Sequence, residues 1–461
     1  MSKNLILNVD SYKSSHYLQY PPNTTRVSSY IESRGGEFDK VVFFGLQMFI
    51  KEYLCKPISA EDIDEAVALF AAHGVPFNEA GWRYILDRYQ GFLPVEIQAV
   101  PEGTVIEGKN VLVQMVNTDM ECAWLTSYLE TALLRAVWYP TTVATISWNC
   151  RNVIERYLQS TADSLDGLPF KLHDFGARGA SSEETAAIGG AAHLVSFMGT
   201  DTVSALLAVR RYYGAEMAGF SIPAAEHSTI TSWSRDGELD AYRNMLNQFS
   251  GPGKIVAVVS DSYDLWNAID NLWGEELKAQ IEQSGGTLVV RPDSGDPVEV
   301  VTETVERLMD KFGYSVNSKG FRVLPACIRV IQGDGISLKS IEDILAAMKA
   351  REQSAENVAF GMGAELLQKV NRDTLQFAMK ASAVRVDGFW RDVYKDPVTD
   401  QGKRSKKGRL ALVKDPCGSF KTVREQDLSG RDNYLETVFS NGELLVNQRF
   451  DDIRERLNNQ G

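Results

Sequence analysis

One histidine stands out among the residues that could do chemistry. The stretch "FSIPAAEHSTITSW", residues 220–233, carries His227 beside Glu226, with four hydroxyl residues after it, and the whole chain has only five histidines. A lone histidine has three open readings: a hydrogen-bonded core residue, a metal ligand, or a carrier of charge or of a chemical group. Zinc is excluded by spacing, because no second His or Cys stands at ligand distance along the chain. Core and carrier remain open on the residues alone.

The other reactive side chains fall into short motifs that end apolar runs. "GTD" supplies Asp201, "SDSYD" Asp261 and Asp264, "RPDSGD" Asp293 and Asp296, and "QGDG" Asp334, with Arg178, Arg291 and Arg372 as cations. A single Asp after a strand is ordinarily a turn residue or a helix cap. Their recurrence at successive strand ends, in company with arginines, points instead to a phosphorylated sugar. Carboxylates would hold its hydroxyls, arginines its phosphates, and Mg²⁺ would sit between. "FGMGAELLQKVNRD" adds Gly361 and Gly363, which would let backbone amides approach an anion at the start of a helix. It matches neither the Walker loop nor the dinucleotide fingerprint. "KDPVTDQGKRSKKGR" gathers Lys395, Lys403, Arg404, Lys406, Lys407 and Arg409 in a chain whose net charge is −13, so an anion such as pyrophosphate is the expected occupant.

These residues need elements to hold them. Over 461 residues, two or three domains are expected, or one barrel with a sizeable addition. Residues 1–130 mix short strands and turns, with "LPVEIQAVPEGTVIEGKNVLVQMVNT" reading as a small antiparallel sheet, and residues 122–160 read as helical. From about residue 165, apolar runs alternate with amphipathic helices. Val301, Val305, Leu308 and Phe312 lie at helical spacing, as do Leu265, Ile269, Leu272 and Trp273, and Ile341, Ile344, Leu345 and Met348. Such alternation means parallel β/α units, whose ligands sit at the carboxyl edge of the strands. Doubly wound sheet and barrel share this pattern. The tail after the basic segment is β-like and expected to return to the N-terminal sheet.

Composition narrows the function class. An acidic surface argues against nonspecific binding to nucleic acid or anionic membrane. Five scattered cysteines without a CxxC argue for a reducing compartment and against a disulfide framework. The start "MSKNLILNVDSYK" meets Asp10 too early for a signal peptide, and no apolar run is long enough to span a bilayer, so a cytoplasmic protein is expected.

The strings "DSYKSSHYLQYPPNTTRVSSYIESR", "KLHDFGARGASSEETAAIGGAAHLVSFMGTDTV", "SIPAAEHSTIT", "VVSDSYD", "VRPDSGDP", "RVIQGDGI", "LLQKVNRD" and "KDPVTDQGKRSKKGRLAL" occur in this order. Together they resemble the nicotinamide phosphoribosyltransferases, within the type II phosphoribosyltransferase family, from about residue 8 to about residue 455. The resemblance implies an irregular α/β barrel at 163–378, with a discontinuous α+β domain built from 1–162 and 379–461. It implies a homodimer with shared active sites. The implied reaction joins nicotinamide to phosphoribosyl pyrophosphate, giving nicotinamide mononucleotide and pyrophosphate, with Mg²⁺ and coupled ATP hydrolysis.

Residue roles follow from the same resemblance. Phe175 and the partner copy's Tyr12 would sandwich the nicotinamide ring, Asp201 would take the carboxamide NH₂ and repel a carboxylate, and Arg291 would lie by ring and ribose. Asp293, Gly333 and Asp334 would hold the ribose. Arg178, Arg372, Gly361 and Gly363 would hold its 5′-phosphate. Arg34, Lys380, Lys395 and Lys403 would face pyrophosphate, with Ser221 close to His227. Asp261 and Asp293 would stabilise the cationic sugar. His227 would be transiently phosphorylated by ATP, with Glu226 and Ser228 orienting its ring. Glu365 departs from the glycines common in related loops, and is expected to point away from the phosphate. Two rivals stand beside this reading: a nicotinate phosphoribosyltransferase, against which Asp201 argues, and a catalytically silent binding protein, against which the intact site shell argues.

Overall fold

The computed structural model describes residues 4–399 and 404–460. The chain divides into two compact units. One comprises Met1–Thr145, Ala208–Ala215 and Asn371–Gly461, the other Ile146–Leu207 and Glu216–Val370. The expected division at 162/163 falls at the end of the long helix Glu130–Thr161, within which the chain passes from the first unit to the second. Among the described residues no helix is long and apolar enough to cross a membrane.

The second unit is an irregular α/β barrel. Its strands are β1 (Leu172–Asp174), β2 (Gly199–Thr200), β3 (Ile255–Val259), β4 (Thr287–Arg291), β5 (Ile328–Gln332) and β6 (Val358–Met362). They run parallel in the order β2-β1-β6-β5-β4-β3. The segment 220–225 fills the remaining gap. Phe220 bridges Gly199 of β2, and Ala224 bridges Ala257 of β3, both in parallel. Backbone bonds Thr200 N–H to Phe220 O (3.0 Å) and Ala225 N–H to Ala257 O (3.0 Å) secure the two sides. Inside the ring, Ala257, Val289 and Ile331 pack with Phe175, Ile222 and Ala359.

Helices with strong apolar stripes cover the outside, as their periodicity predicts. Pro297–Phe312 buries Val301, Val305, Leu308 and Phe312, and Leu338–Ala350 buries Ile341, Ile344, Leu345 and Met348. Asp296 and Asp264 each accept two backbone N–H groups at a helix start, so these two carboxylates are caps. The helix expected after Gly363 is one turn, Ala364–Leu367, too short to offer an anion much of a dipole. The segment after Asp264 winds as a π-helix over Ala268–Glu276 and still buries Ile269 and Trp273.

The first unit is built on an antiparallel sheet that interleaves both chain ends. Thr24–Ser33 lies between Phe377–Val386 and Val111–Asn117, Val111–Asn117 pairs with Val95–Ala99, and the tail strand Glu436–Ser440 pairs with Val95–Ala99. The excursion 208–215 belongs here because of a buried carboxylate. Glu102 accepts Gly45 N–H (3.0 Å), Gln47 N–H (2.7 Å) and the Tyr213 hydroxyl (2.7 Å).

At the amino end of β1 the barrel floor encloses a cation. Lys171 Nζ donates to the carbonyls of Glu356 (2.8 Å) and Val358 (2.9 Å). Burial, aided by the neighbouring Arg329, pushes this amine down from 10.5 to about 7. Between those values the unfolded chain holds a proton that the native amine lacks, so stability rises with pH across that window. One proton corresponds to about 1.4 kcal/mol per pH unit. Lys171→Met is therefore expected to flatten the rise of stability between pH 7.5 and 8.5, read by urea denaturation. Equal slopes in the two proteins would mean that the native amine stays charged.

Candidate active site

Every strand of a parallel ring delivers its last residues to the same rim, and the reactive residues gather there. Asp174 ends β1 and takes the N–H of Gly176 on Oδ1 (2.7 Å), setting the turn that presents Phe175. Burial raises this carboxyl from 3.8 to about 6. The ring of Phe175 lies on glycine. A Cβ on Gly361 would stand 2.0 Å from the ring, and one on Gly333 would stand 3.4 Å from it. Gly361, expected as part of an anion cradle, thus has a second physical reason: it clears the space the aromatic ring fills. The Arg291 guanidinium sits 5.7 Å from the ring centroid, within cation–π reach.

From Arg291 a charged network runs around the rim. Its Nη2 donates to both oxygens of Asp293 (2.9 and 2.8 Å), and Nε adds a third contact at 3.2 Å. Asp293 Oδ2 lies 3.5 Å from His227 Nε2, and Asp261 Oδ1 lies 3.7 Å from the same nitrogen. Asp261 divides its labour. Oδ2 accepts the N–H of Asp293 (3.0 Å) and the hydroxyl of Ser294, locking that loop, while Oδ1 is buried without a hydrogen-bond partner among the described residues. A buried bare carboxylate oxygen is costly in isolation and suits a cationic or metal-bound ligand.

His227 opens the one-turn helix His227–Thr231 and is half exposed. Its Nδ1 lies 3.0 Å from Ser262 Oγ. Glu226 and Ser228, expected to orient the ring, instead bond to each other, and Glu226 also lies 3.9 Å from Arg178. The residue that holds the imidazole is thus Ser262, which no local signal marks, since it comes from the end of β3. Ser221, expected near His227, donates to Asp201 Oδ1. Asp201 is tied to the neighbouring strand by its own N–H, which donates to Asp174 O (3.0 Å). Asp334 is exposed on the turn after β5, where Gln332 Nε2 donates to its carbonyl (2.9 Å). Glu365 pairs with Lys369 at 2.6 Å, one turn along the chain.

The remaining expected residues belong to the first unit or fall outside the described residues. Tyr12 is 60% exposed, and Lys13 lies 5.3 Å from its ring centroid. Arg372 donates to Asp373 (3.0 Å) and is exposed. Arg34, Lys380 and Lys395 lie on or beside the strands Thr24–Ser33 and Phe377–Val386. The amine of Lys380 is pushed down by burial and by the cations Arg34, Lys13 and Lys395. Lys403 lies outside the described residues. No group of three or more His, Cys, Asp or Glu able to hold a metal occurs among the described residues. Asp261 and Asp293 are hard oxygen donors that fit Mg²⁺ only as part of a set completed by substrate phosphate and water.

The contact between Gly361 and Phe175 is directly testable. Gly361→Ala is expected to destabilise the protein by about 1–3 kcal/mol, because the added methyl meets the ring. The penalty should shrink by at least about 1 kcal/mol in a Phe175→Leu background, measured by chemical denaturation of the four variants. Full additivity would show that the ring does not occupy that space.

Comparison with known proteins places this architecture. Residues 170–443 match the nicotinate phosphoribosyltransferase (NAPRTase) family, and residues 4–97 match the nicotinamide phosphoribosyltransferase, N-terminal domain. The chain is 56% identical over 457 residues to the nicotinamide phosphoribosyltransferase of Xanthomonas campestris pv. campestris, covering 98% of this chain and 97% of the relative. It is 32% identical over 489 residues to that of Acinetobacter baylyi, covering 98% and 96%. Among solved structures, nicotinate-nucleotide pyrophosphorylase from Pyrococcus furiosus superposes with a TM-score of 0.64 at 14% identity, covering 100% of this chain and 96% of that one. Human nicotinic acid phosphoribosyltransferase gives 0.57 at 16% identity, covering 97% and 92%. At such identities these two likenesses speak for the fold, that of the type II phosphoribosyltransferases. With a barrel of this topology, a matched family model over more than half its length and a relative of 56% identity along nearly all of it, the chain belongs to the nicotinate phosphoribosyltransferase family, in the branch that carries the nicotinamide phosphoribosyltransferase N-terminal domain.

Proposed function

We propose that this chain transfers the phosphoribosyl group of phosphoribosyl pyrophosphate to nicotinamide, releasing pyrophosphate and nicotinamide mononucleotide for NAD salvage, and that it couples this step to ATP through His227. The observation that carries the reading is the continuous rim network from the aromatic platform Phe175 through Arg291 and Asp293 to His227 and Asp261. An aromatic face joined to a row of carboxylates in one connected network is what this reading requires for ring and sugar. The full-length relatives support the same reading.

The chemistry asks little acid–base help. The pyridine nitrogen of nicotinamide already bears a lone pair, so no side chain need remove a proton from it. The C1–O bond of the sugar breaks toward pyrophosphate, and positive charge builds on the ribose ring. Asp261 has a buried oxygen free to face that charge, whereas both oxygens of Asp293 are engaged by Arg291, so Asp261 is the stronger candidate for cation stabilisation. Mg²⁺, held chiefly by substrate phosphates, supplies charge neutralisation to the leaving group. Arg34, Lys380, Lys395 and Lys403 serve that leaving group in a homodimer with shared sites, in which Arg34 comes from the partner copy and Tyr12 of the partner copy closes over the ring. Arg178, Arg372 and Gly363 serve the 5′-phosphate, and Gly333 and Asp334 the ribose. The working location is the cytoplasm.

The neighbours of His227 assign its tautomer. Two carboxylates face Nε2 and favour a proton there, while Ser262 Oγ can donate to Nδ1. The lone pair then sits on Nδ1. In the coupled step Nδ1 attacks the γ-phosphorus of ATP, the bond from that phosphorus to the bridging oxygen breaks, and ADP leaves with the electron pair. The positive charge left on the imidazole is balanced by Asp261 and Asp293.

Two outcomes test this function. His227→Ala is expected to keep basal mononucleotide synthesis while losing its stimulation by ATP, in steady-state assays with and without ATP. A mutant still stimulated in full would remove His227 from the mechanism. Asp201→Asn is expected to raise kcat/KM for nicotinic acid by at least about tenfold, because a charge is removed near the ring. A wild-type chain that already prefers nicotinic acid would overturn the role of Asp201.

A further inference from the structure

The strand Thr24–Ser33 ends in a buried carboxylate that organises cations. Glu32 is 4% exposed. Its Oε1 accepts from Arg34 Nε at 3.0 Å, and its Oε2 accepts from Lys406 Nζ at 2.5 Å. Tyr30, fully buried two residues earlier, accepts the backbone N–H of Lys406 on its hydroxyl at 2.8 Å. Ser405 and Lys395 close the neck of the basic segment: Lys395 N–H donates to Ser405 Oγ (2.8 Å), and Ser405 N–H to Lys395 O (2.9 Å). One carboxylate and one phenol therefore fasten Lys406.

The fastening leaves donors over. Arg34 is held by Nε, and its Nη2 is buried without a hydrogen-bond partner among the described residues. Lys380 lies opposite Tyr30 across the strand pair; burial and the cations Arg34, Lys13 and Lys395 act against its charge and outweigh the support of Glu130. Mutually repelling cations around a buried unsatisfied guanidinium are arranged for a multiply charged anion with several acceptor oxygens.

We propose that Glu32 is the positioning residue of this anion site, aiming Arg34 and holding Lys406 so that a diphosphate group meets preplaced donors. Glu32 does not touch the anion. It raises anion affinity by holding two cations beside one carboxylate, which removes the cost of gathering them at binding. The proposal rests on the reading that pyrophosphate is a product.

The experiment compares wild type, Glu32→Gln and Lys406→Gln in the full-length protein. Calorimetric binding of inorganic pyrophosphate is measured together with KM for phosphoribosyl pyrophosphate and for nicotinamide, and thermal unfolding checks the fold. For Glu32→Gln, pyrophosphate affinity is expected to fall about tenfold or more, with a parallel rise in KM for the phosphosugar and a nicotinamide KM within about twofold of wild type. Lys406→Gln, which leaves Glu32 paired with Arg34, is expected to show the same split with a smaller loss and serves if Glu32→Gln does not fold. Unchanged pyrophosphate affinity in a folded variant would overturn the proposal, as would an equal rise in both KM values. A wild type that makes no mononucleotide would overturn the functional reading, and the pyrophosphate titration would still decide the role of Glu32.

Discussion

A parallel ring of strands works as a site only if its last gap is closed, and residues 220–225 close this one. They add no long strand. They bridge β2 at Phe220 and β3 at Ala224, with backbone hydrogen bonds on both sides. Everything at the rim depends on that closure. It fixes Ser221 against Asp201, and its continuation carries His227 to within 4 Å of carboxylates delivered by β3 and β4. Because all the strands point the same way, their polar ends share one rim, and apolar residues fill the ring below.

That geometry explains what the sequence could and could not reveal. The helices were legible because Val301, Val305, Leu308 and Phe312 repeat at 3.6-residue spacing, and every one of them is buried. The strands were legible as apolar runs that stop at Asp, Arg or Gly. The closing segment was not, since "FSIPAA" has a proline, a serine and only two bridging residues, so no strand period exists to be read. Ser262 was hidden for a related reason. Its importance comes from facing an imidazole 35 positions away in the chain, and nothing in "SDSYD" distinguishes it from the serines of a turn. Asp264 and Asp296 looked like Asp261 and Asp293 in one dimension, and they separated only when the folded chain turned one pair to helix starts and the other to the rim.

The glycines make the same point from the other side. Gly361 was read from its neighbours in sequence as a place for an anion. Its tighter constraint is the ring of Phe175 on the adjacent strand, a contact across 186 positions of chain that leaves no room for one methyl group. A motif can thus be right about which residue matters while local sequence misses part of why, because backbone permissiveness and clearance for a distant side chain both favour the same residue.

The rim charges also bear on how a neutral ring could be told from an anionic one. A positive residue beside the aromatic platform would ordinarily welcome a carboxylate on the bound ring. Arg291 is poorly placed to do so, since Asp293 engages it through both oxygens and neutralises it where it stands. Asp201, proposed to meet the ring substituent, has a neutral serine hydroxyl as its side-chain partner. Two carboxylates about 4 Å apart at an effective dielectric constant of about 20 repel by about 4 kcal/mol, roughly a thousandfold in affinity. An amide in the same place gains a hydrogen bond instead. On this argument the Arg291–Asp293 pair does more than hold a loop: it neutralises a cation beside the platform, which would leave the proposed choice between the two rings to Asp201.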